Sequence, residues 1–266
     1  MSEYKISLEG LMKVFHTRFQ TITAVENVNM HFAPGDFVSV IGPSGCGKST
    51  IIRMIADIIK PSSGRIFIDG EEVSSYKRMP LEIIRKMGFI FQLPNMFPWR
   101  TVRENVCLPL DVFKLREKEW GEYADQLLEM TGLTAVKDAH PVEISAGSMQ
   151  RAGVIRAMAH KPEILLMDEP FGSLDEMMRE QLNMELLDIW EATGKTIIFI
   201  THSVEEAVLL SNRVYVMGTN PGRVIDEIHI DLDRPRKLSM IATEKFIDYC
   251  VYLTNKIGHV DLDRIK

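Results

Sequence analysis

Residues 42–50 constrain the fold of this chain more than any other stretch. Their sequence, GPSGCGKST, fits the pattern G-x-x-x-x-G-K-[ST]. Residues 37–41 precede it as an apolar segment that predicts a buried strand, and residues 51–59 carry isoleucine and methionine with the three-and-four spacing of one helix face. A strand, a glycine-rich loop and a helix start occur in the order that the pattern requires. The sequence therefore predicts an α/β fold built around a loop that holds phosphate groups.

The residues of this loop suit phosphate for physical reasons. A helix N-terminus leaves backbone N–H groups unpaired and carries partial positive charge, so it attracts anions. Gly42, Gly45 and Gly47 allow the backbone to approach an anion without a Cβ in the way. Lys48 is placed to reach the β- and γ-phosphates of a nucleotide, and the Ser49 hydroxyl can ligate Mg²⁺. A glycine turn followed by a surface lysine is the alternative, and the flanking strand and helix favour phosphate binding.

Charge and composition limit the other classes of function. The 266 residues suit one large domain, or one domain with a subdomain, and the net charge of −6 offers no basic patch for nucleic acid. No apolar run approaches the roughly 18 residues of a membrane span, and the first residues lack the layout of a signal peptide. Cys46, Cys107 and Cys250 are scattered and odd in number, which indicates free thiols. We therefore expect a soluble cytoplasmic protein.

Two adjacent carboxylates follow a second apolar strand. Residues 164–167 are apolar without alternation, which is typical of a strand covered on both faces. Asp168 and Glu169 come directly after it, where parallel sheets bind ligands. Asp168 can hold Mg²⁺, usually through water, and Glu169 can polarise an attacking water. A helix cap and a solvated charge are the alternative, and the phosphate loop elsewhere in the chain favours catalysis.

Three further residues have a functional and a structural interpretation. Gln92 follows an apolar strand, so its amide can face a nucleotide pocket, although a lone glutamine is more often a solvated turn residue. His202 lies just past the apolar strand of residues 196–200 and can donate to a γ-phosphate or serve the structure alone. Phe15 is either a core residue or a stacking platform, and the pattern around it favours the core.

The segments predict a core with a helical insertion. The first forty residues suggest short strands, and residues 214–217 and 224–230 suggest a hairpin. Between residues 97 and 161 the spacing becomes helical, with one helix expected over residues 114–130. Ser145 is the expected N-cap of another helix over residues 149–159, with or without a ligand. We predict one domain, 1–266, that comprises an α/β core of residues 1–96 and 162–230, a helical subdomain of residues 97–161 and a C-terminal tail of residues 231–266 with a short helix.

Taken together, these segments resemble the ATP-hydrolysing subunit of an ABC transporter over nearly the whole chain. Residues 42–50 resemble the first phosphate motif of that family, and residues 164–169 the second. The order and spacing of all the motifs are more specific than any one of them. The resemblance implies a P-loop NTPase core with a RecA-like mixed sheet and flanking helices, an antiparallel β region and an inserted helical subdomain. The remaining matches are Gln92 to the glutamine loop, Ser173, Leu174 and Asp175 to the D-loop, and His202 to the switch histidine.

The resemblance also implies a role for each residue, with ATP and Mg²⁺ as cofactors. Phe15 falls where the family stacks an aromatic ring on adenine, which replaces the core interpretation of that ring. Glu169 would activate water and His202 would steady the γ-phosphate, with Gln92 beside them as a further catalytic residue. Ser49, Gln92 and Asp168 would position Mg²⁺. The implied ATP-binding residues are Phe15, Gly42, Pro43, Ser44, Gly45, Cys46, Gly47, Lys48, Ser49 and Thr50.

One motif departs from the family pattern. The family signature, LSGGQ or LSGGMQQR, is ISAGSMQR at residues 144–151. Ser145 and Gly147 match, Ala146 replaces the first glycine, and Ser148 replaces a glutamine or methionine. In this family two subunits pair head to tail, and each signature helix points its N-terminus at the γ-phosphate held by the other. We expect an alanine with positive φ to cost about 1 kcal/mol. Because Ser145 and the Gly147 backbone remain, we expect hydrolysis to be weakened at worst and not lost.

The resemblance finally implies partners. Residues 93–100, 220–223 and 231–236 resemble importers of the nitrate, sulfonate and taurine group, so a small anion of that kind is the expected solute. A homodimer or pseudo-dimer, an integral membrane permease that docks a helix near Gln92, and indirectly an extracytoplasmic solute-binding protein are implied, at the inner face of the membrane. The alternatives are an exporter subunit, a hydrolysis-impaired regulator, and an ABC ATPase of DNA repair, whose coiled coils and zinc cysteines the sequence lacks.

Overall fold

Two β-sheets form the frame of the protein. The computed structural model describes residues 3–172 and 174–262, so Ser173 of the predicted D-loop lies outside the described residues. The strands of this part are β1 (Ile6–His16), β2 (Thr21–Phe32), β3 (Phe37–Ile41), β4 (Ser63–Ile68), β5 (Glu71–Glu72), β6 (Met87–Ile90), β7 (Ile164–Asp168), β8 (Thr196–Ile200), β9 (Arg213–Gly218) and β10 (Arg223–His229).

The larger sheet is mixed and contains the predicted motifs. Its six strands have the order β10-β9-β3-β8-β7-β6, with β10 antiparallel to β9 and the others parallel. Every residue of β3, β7 and β8 is buried, as their unbroken apolar sequences predict. The phosphate loop, Glu169, His202 and Gln92 each follow one of four neighbouring parallel strands. Carboxyl ends of parallel strands share one edge of a sheet, so this topology brings the four motifs together.

The smaller sheet is antiparallel, with the order β2-β1-β4-β5. Its apolar face, α1 and one face of the mixed sheet enclose one core, which contains Ile52 and Leu166. The opposite face of the mixed sheet packs on α6 and α7 in a second core around Phe199 and Ile155. The fold class is therefore confirmed as α/β with a mixed and an antiparallel sheet. The helices are α1 (Lys48–Ile55), α2 (Leu81–Ile84), α3 (Val102–Val106), α4 (Leu108–Val112), α5 (Lys118–Met130), α6 (Ala146–Met158), α7 (Glu176–Thr193), α8 (Val204–Leu210) and α9 (Glu244–Leu262).

The helical insertion differs from its prediction in one detail. The helix predicted from residue 114 begins at Lys118, because Lys114 has a positive φ of 56° and ends the preceding turn. Helices α3 to α6 all lie between residues 97 and 161, the range that we predicted as a subdomain, and its boundaries stay a prediction. Thr101 caps α3 in a capping box with Glu104, which explains where this helical region starts.

The C-terminal tail contains a longer helix than predicted. Helix α9 has 19 residues, because Phe246 and Leu253, seven positions apart, are both buried in a third core with α8 and β9. Two apolar anchors at this spacing lie on one face and stabilise a helix of several turns. No helix in the described part of the chain is both long and apolar enough to span a membrane.

Candidate nucleotide site

The predicted phosphate loop joins the end of β3 to the start of α1. Gly47 is the N-cap of α1 and has a φ of 94°, in the left-handed region that favours glycine. A Cβ on Gly47 would lie 2.3 Å from Val25 Cγ1, and a Cβ on Gly42 would lie 2.6 Å from the Met217 carbonyl oxygen. Both positions therefore require glycine, and the loop ends at a helix N-terminus that attracts anions.

Lys48 is buried within the curve of the loop, although its side chain is charged. Its Nζ donates to the carbonyl oxygens of Gly42, at 2.7 Å, and Pro43, at 3.3 Å. A cation is thereby held at the place where the resemblance puts the phosphates of a nucleotide. Cys46 is also buried, and burial raises the pKa of its thiol although the charge of Lys48 opposes this. The remaining predicted residues of the loop and first helical turn are Ser44, Gly45 and Thr50.

Asp168 is the point at which α1 meets β7. The Ser49 hydroxyl donates to Asp168 Oδ1 at 2.6 Å, and Arg53 Nη2 donates to Oδ2 at 3.1 Å. The Asp168 side chain is only 4% exposed, so both carboxylate oxygens are held by partners on α1. Hydroxyl and carboxylate oxygens are ligands that Mg²⁺ accepts, and this ion usually takes one or two of them together with water and substrate phosphates. Within residues 3–172 and 174–262, no cluster of three or more His, Cys, Asp or Glu forms a separate metal site.

Glu169 is the residue on which three strand ends converge. Its Oε2 accepts a hydrogen bond from Gln92 Nε2 at 3.3 Å and lies 3.6 Å from His202 Nδ1. Its φ is 48°, a conformation that non-glycine residues seldom adopt, and its N–H donates to the Ile200 carbonyl at 3.0 Å. The backbone therefore turns sharply after β7 and holds the carboxylate between the glutamine and the histidine. This geometry brings all three predicted catalytic residues together.

Hydrogen bonds of the residues on either side of His202 fix the turn that carries it. The buried Thr201 hydroxyl donates to the Glu206 carboxylate and accepts from the Ser203 N–H at 3.0 Å. Ser203 is the N-cap of α8 and accepts from the Glu206 N–H at 3.2 Å. Asn183 on α7 donates to the same carboxylate at 3.4 Å. Because these contacts lock the start of α8, the position of His202 depends on the orientation of that helix.

Phe15 lies near the outer end of β1 and is not a core residue. The residue is 37% exposed, so the core interpretation drawn from the local pattern alone was wrong. Lys13 Nζ lies 5.0 Å from the centre of the Phe15 ring. Phe15 pairs with Ile22 across the β1–β2 ladder. An exposed aromatic face at this place is available for stacking, and adenine as its partner stays a prediction.

The structure corrects the backbone conformation that we expected in the signature segment. Ser145 is the N-cap of α6, as predicted, and accepts from the Ser148 N–H at 3.1 Å. Ala146 is the first residue of α6 and does not have a positive φ. The expected strain of about 1 kcal/mol was therefore wrong, because glycine at this position is not needed for a left-handed turn. The methyl group of Ala146 is simply exposed at the end of the helix.

Gly147 links the signature segment to the predicted D-loop. It is buried, and a Cβ there would lie 3.2 Å from both Cε and Sδ of Met178 on α7. The N-cap of α7 is Asp175, whose Oδ1 accepts from the Met178 N–H at 3.1 Å. Glycine at position 147 therefore allows the start of α6 to pack closely on the first turn of α7. The signature segment and the described part of the predicted D-loop thus form one surface.

Two residues near the site escaped prediction. Arg53 holds Asp168, and its four-residue separation from Ser49 on a predicted helix was a usable signal, because that spacing puts side chains on one face. Gln150 is 2% exposed and donates from Nε2 to the carbonyl of Pro170, directly after Glu169. Nothing in the sequence marks this contact, because it joins α6 to a loop 20 positions away.

Known proteins resemble this chain in sequence and in fold. The sequence profile of the ABC transporter family matches residues 25–172. An uncharacterized ABC transporter ATP-binding protein of Methanocaldococcus jannaschii is 40% identical over 262 residues, which are 98% of this chain and 94% of that protein. The aliphatic sulfonates import ATP-binding protein SsuB of Bacillus cereus is 40% identical over 231 residues, 87% of this chain and 88% of SsuB. The dimeric ATP-binding cassette MJ0796, in a post-hydrolysis state bound to ADP and Pi, superposes with a TM-score of 0.76 at 32% identity, and the match covers 86% of this chain and 100% of the cassette.

Proposed function

From the premise that this chain belongs to the ABC transporter family, as an ATP-binding subunit that hydrolyses ATP, we propose that it drives import of a small anion through a membrane permease. The solute class proposed is that of sulfonates, taurine and nitrate. Similarity to SsuB over 87% of the chain supports it. The convergence of Gln92 and His202 on Glu169 is the single observation that carries the hydrolytic mechanism.

In this mechanism the phosphates of ATP bind to Lys48 and to the N-terminus of α1. Ser49, Gln92 and Asp168 would hold Mg²⁺, which would supply positive charge to offset that of the phosphates. Glu169 accepts a proton from the attacking water, and Gln92 and His202 hold its carboxylate in a fixed orientation. His202 donates to the γ-phosphate as charge develops there. The adenine stacks on the exposed ring of Phe15.

Two copies of the chain form the complete site in this proposal. Ser145 and Ala146 are exposed at the start of α6, and Asp175 begins the adjoining α7. With Gly147 between them, these residues form one surface that meets the γ-phosphate bound by a second copy, arranged head to tail. The related cassette is dimeric with ADP and Pi bound, which supports this arrangement. Hydrolysis then separates the two copies and transmits a movement to the permease.

The permease is proposed to dock beside Gln92. Leu93 is 64% exposed and Trp99 is 70% exposed, so two large apolar side chains border this region. The loop around Trp99 is held by the buried Asn105. Its amide Nδ2 donates to the carbonyls of Phe97, Arg100 and Thr101, at 3.1, 3.1 and 2.9 Å, and its Oδ1 accepts from the Phe97 N–H at 2.7 Å. An apolar surface on a rigid loop suits a helix of a membrane-embedded partner. This contact would hold the chain at the inner face of the membrane, with a solute-binding protein on the other side.

The proposal is tested in two stages. The purified chain should release phosphate from ATP only with Mg²⁺, and Lys48→Ala should lose both nucleotide binding and release. Membranes of the native host should then yield the chain together with a permease, and disruption of the chain should stop uptake of a labelled sulfonate, taurine or nitrate. The Trp99→Ala variant should retain phosphate release and lose the permease, whereas Lys77→Ala, another surface change, should retain both.

Each outcome separates one candidate from another. Absence of Mg²⁺-dependent phosphate release would favour a regulator that no longer hydrolyses ATP. The helical conformation of Ala146 removes the backbone strain that we expected the altered signature to cause. Loss of export rather than uptake on disruption of the chain would overturn the direction of transport. Unchanged uptake of all three solutes would overturn the solute class.

A further inference from the structure

The C-terminal end of α8 is capped by side chains from the tail. The last four carbonyl groups of an α-helix have no partner within the helix. In α8 one of them accepts a backbone N–H, and the other three accept hydrogen bonds from Arg234 and Arg236. The four contacts are Ser211 N–H to Ala207 O (3.2 Å), Arg236 Nη1 to Val208 O (2.5 Å) and Leu209 O (3.1 Å), and Arg234 Nη2 to Leu210 O (2.7 Å).

Arg236 caps the end of α8 from a buried position. The residue is 3% exposed, and its Nη2 also donates to the Ile230 carbonyl at 3.2 Å. Its hydrogen-bond partners in the described part of the chain are all carbonyl oxygens. Burial lowers the pKa of Arg236 to about 10, so it remains a cation at neutral pH. The partial negative charge at the helix C-terminus is therefore the main complement to a buried guanidinium group.

Arg234 connects the same tail segment to α7. Its guanidinium carbon lies 4.4 Å from the centre of the Trp190 ring, in the last turn of that helix. Trp190 in turn donates from Nε1 to the Gly35 carbonyl at 3.1 Å. Arg234 thus joins the C-terminal ends of α7 and α8, and Arg236 binds the end of α8 alone. The N-terminal ends of the two helices begin at Asp175 and directly after His202.

The length of α8 makes this far end relevant to the site. The helix has seven residues and is therefore about 10 Å long. A short rigid helix that is free to tilt at one end moves the residues at its other end by a comparable amount. At the near end, Thr201 and Ser203 bind Glu206 within the helix itself, so they keep His202 fixed to α8. The direction of α8 depends on its contacts with other elements, which are the Asn183–Glu206 contact with α7, the packing of Ala207, Val208 and Leu209 in the third core, and the two arginines at the far end.

We propose that Arg234 and Arg236 are positioning residues for ATP hydrolysis, because they fix the direction of α8 and thereby hold His202 against Glu169. The inference rests on the proposed function, since it requires His202 to act in hydrolysis. It assigns a task to the segment of residues 231–236, which the nucleotide site itself does not use. The two arginines lie away from the phosphate loop, so they affect turnover and leave nucleotide affinity unchanged.

The first test compares Arg236→Met with Lys237→Met, which removes a neighbouring exposed cation. We expect Arg236→Met to lower kcat about tenfold, a change of about 1.4 kcal/mol in the barrier, with a Kd for Mg-ATP within about twofold of the parent. Arg236→Lys keeps a cation at the helix end and should recover part of the loss. Lys237→Met should keep parental kcat. Arg234→Met removes one carbonyl contact at a half-buried position and provides a milder variant, with about a threefold loss, in case Arg236→Met does not fold.

The second test asks whether the effect passes through His202. In a His202→Ala background, Arg236→Met should change the residual kcat by less than about twofold, since coupled residues are not additive. The imidazole NMR signal of His202, assigned by its absence in His202→Ala, should shift in Arg236→Met and stay in place in Lys237→Met. A general loss of stability would not produce this selective pattern.

The outcomes distinguish the inference from the function on which it rests. Parental turnover in His202→Ala would refute the role of His202 in the proposed function, and the inference with it. If His202→Ala loses turnover but Arg236→Met and Arg234→Met retain it, the inference alone is overturned. An equal loss from Arg236→Met in both backgrounds, with an unshifted His202 signal, would likewise show that the arginines do not act through the histidine.

Discussion

The Ser49 hydroxyl donates a 2.6 Å hydrogen bond to Asp168 Oδ1 across a sequence separation of 119 residues. This contact connects the first turn of α1 to the end of β7, and Arg53 reinforces it at the second carboxylate oxygen. Two of the three residues proposed to hold Mg²⁺, Ser49 and Asp168, are therefore in contact with each other within the folded chain.

Ser49→Ala should separate metal binding from nucleotide binding. The variant removes a proposed ligand but keeps Lys48 and the loop backbone, so its Kd for ATP in the presence of EDTA should stay within about threefold of the parent. Mg²⁺-dependent phosphate release should fall by about a hundredfold, because the metal contributes several kcal/mol of charge stabilisation. The matched control is Arg53→Met, which keeps the Ser49 contact and should lose less than about tenfold. Full Mg²⁺ stimulation in Ser49→Ala would exclude this residue as a ligand.

Glu169→Gln should trap the nucleotide-bound dimer. The amide preserves the shape of the side chain but removes the proposed base, so turnover should fall by at least about a hundredfold. ATP binding should persist, and size-exclusion chromatography with Mg-ATP should show a stable dimer that the parent forms only transiently. Glu163→Gln, a carboxylate at the opposite end of β7, is the control and should turn over normally. Unchanged phosphate release in Glu169→Gln would show that another group activates water.

The residues of the site were predictable where local pattern determines structure. The order of strand, glycine loop and helix identified the phosphate loop, and an apolar strand followed by Asp168 and Glu169 identified a strand-end site. The backbone of Ala146 was not predictable in this way, because a glycine in a family motif does not by itself require a left-handed turn. The contact of Arg236 with Val208, separated by 28 residues, depends on tertiary packing alone. The length of α9 likewise follows from anchors that are buried only in the folded chain.

Ala146→Gly tests the corrected conformation of the signature segment. Since Ala146 is helical, glycine should lower the free energy of unfolding by up to about 1 kcal/mol, through greater freedom of the unfolded chain. A left-handed residue would show the opposite sign. Ala192→Gly in the last turn of α7, also exposed, measures the cost of glycine in a helix of the same protein. Phosphate release should rise by no more than a fewfold, because removing the methyl relieves crowding against the partner's phosphate but no strain in the backbone.

His160 should make the stability of the protein depend on pH below neutrality. It is 5% exposed, its Nε2 donates to the Met87 carbonyl at 3.1 Å, and its Nδ1 has no partner in the described part of the chain. Burial lowers the pKa of His160 to about 4, assisted by the charges of Arg85 and Lys195. The unfolded chain, with a histidine pKa of about 6.5, binds a proton that the folded chain rejects between these two values. Stability is therefore complete above about pH 6.5 and is lost as the pH falls towards 4.

The His160→Gln variant isolates this contribution, because glutamine can keep a donor to Met87 and does not titrate. Each unit of pH below 6.5 corresponds to about 1.4 kcal/mol, so the parent should lose about 2 kcal/mol more than the variant between pH 7 and pH 5. Urea unfolding at both values measures the difference, and carboxylate contributions cancel because both proteins share them. His16→Gln, at an exposed position, should keep the parental dependence. Equal losses in the parent and His160→Gln would mean that His160 is protonated in the folded chain, which is incompatible with the burial of an unpartnered Nδ1.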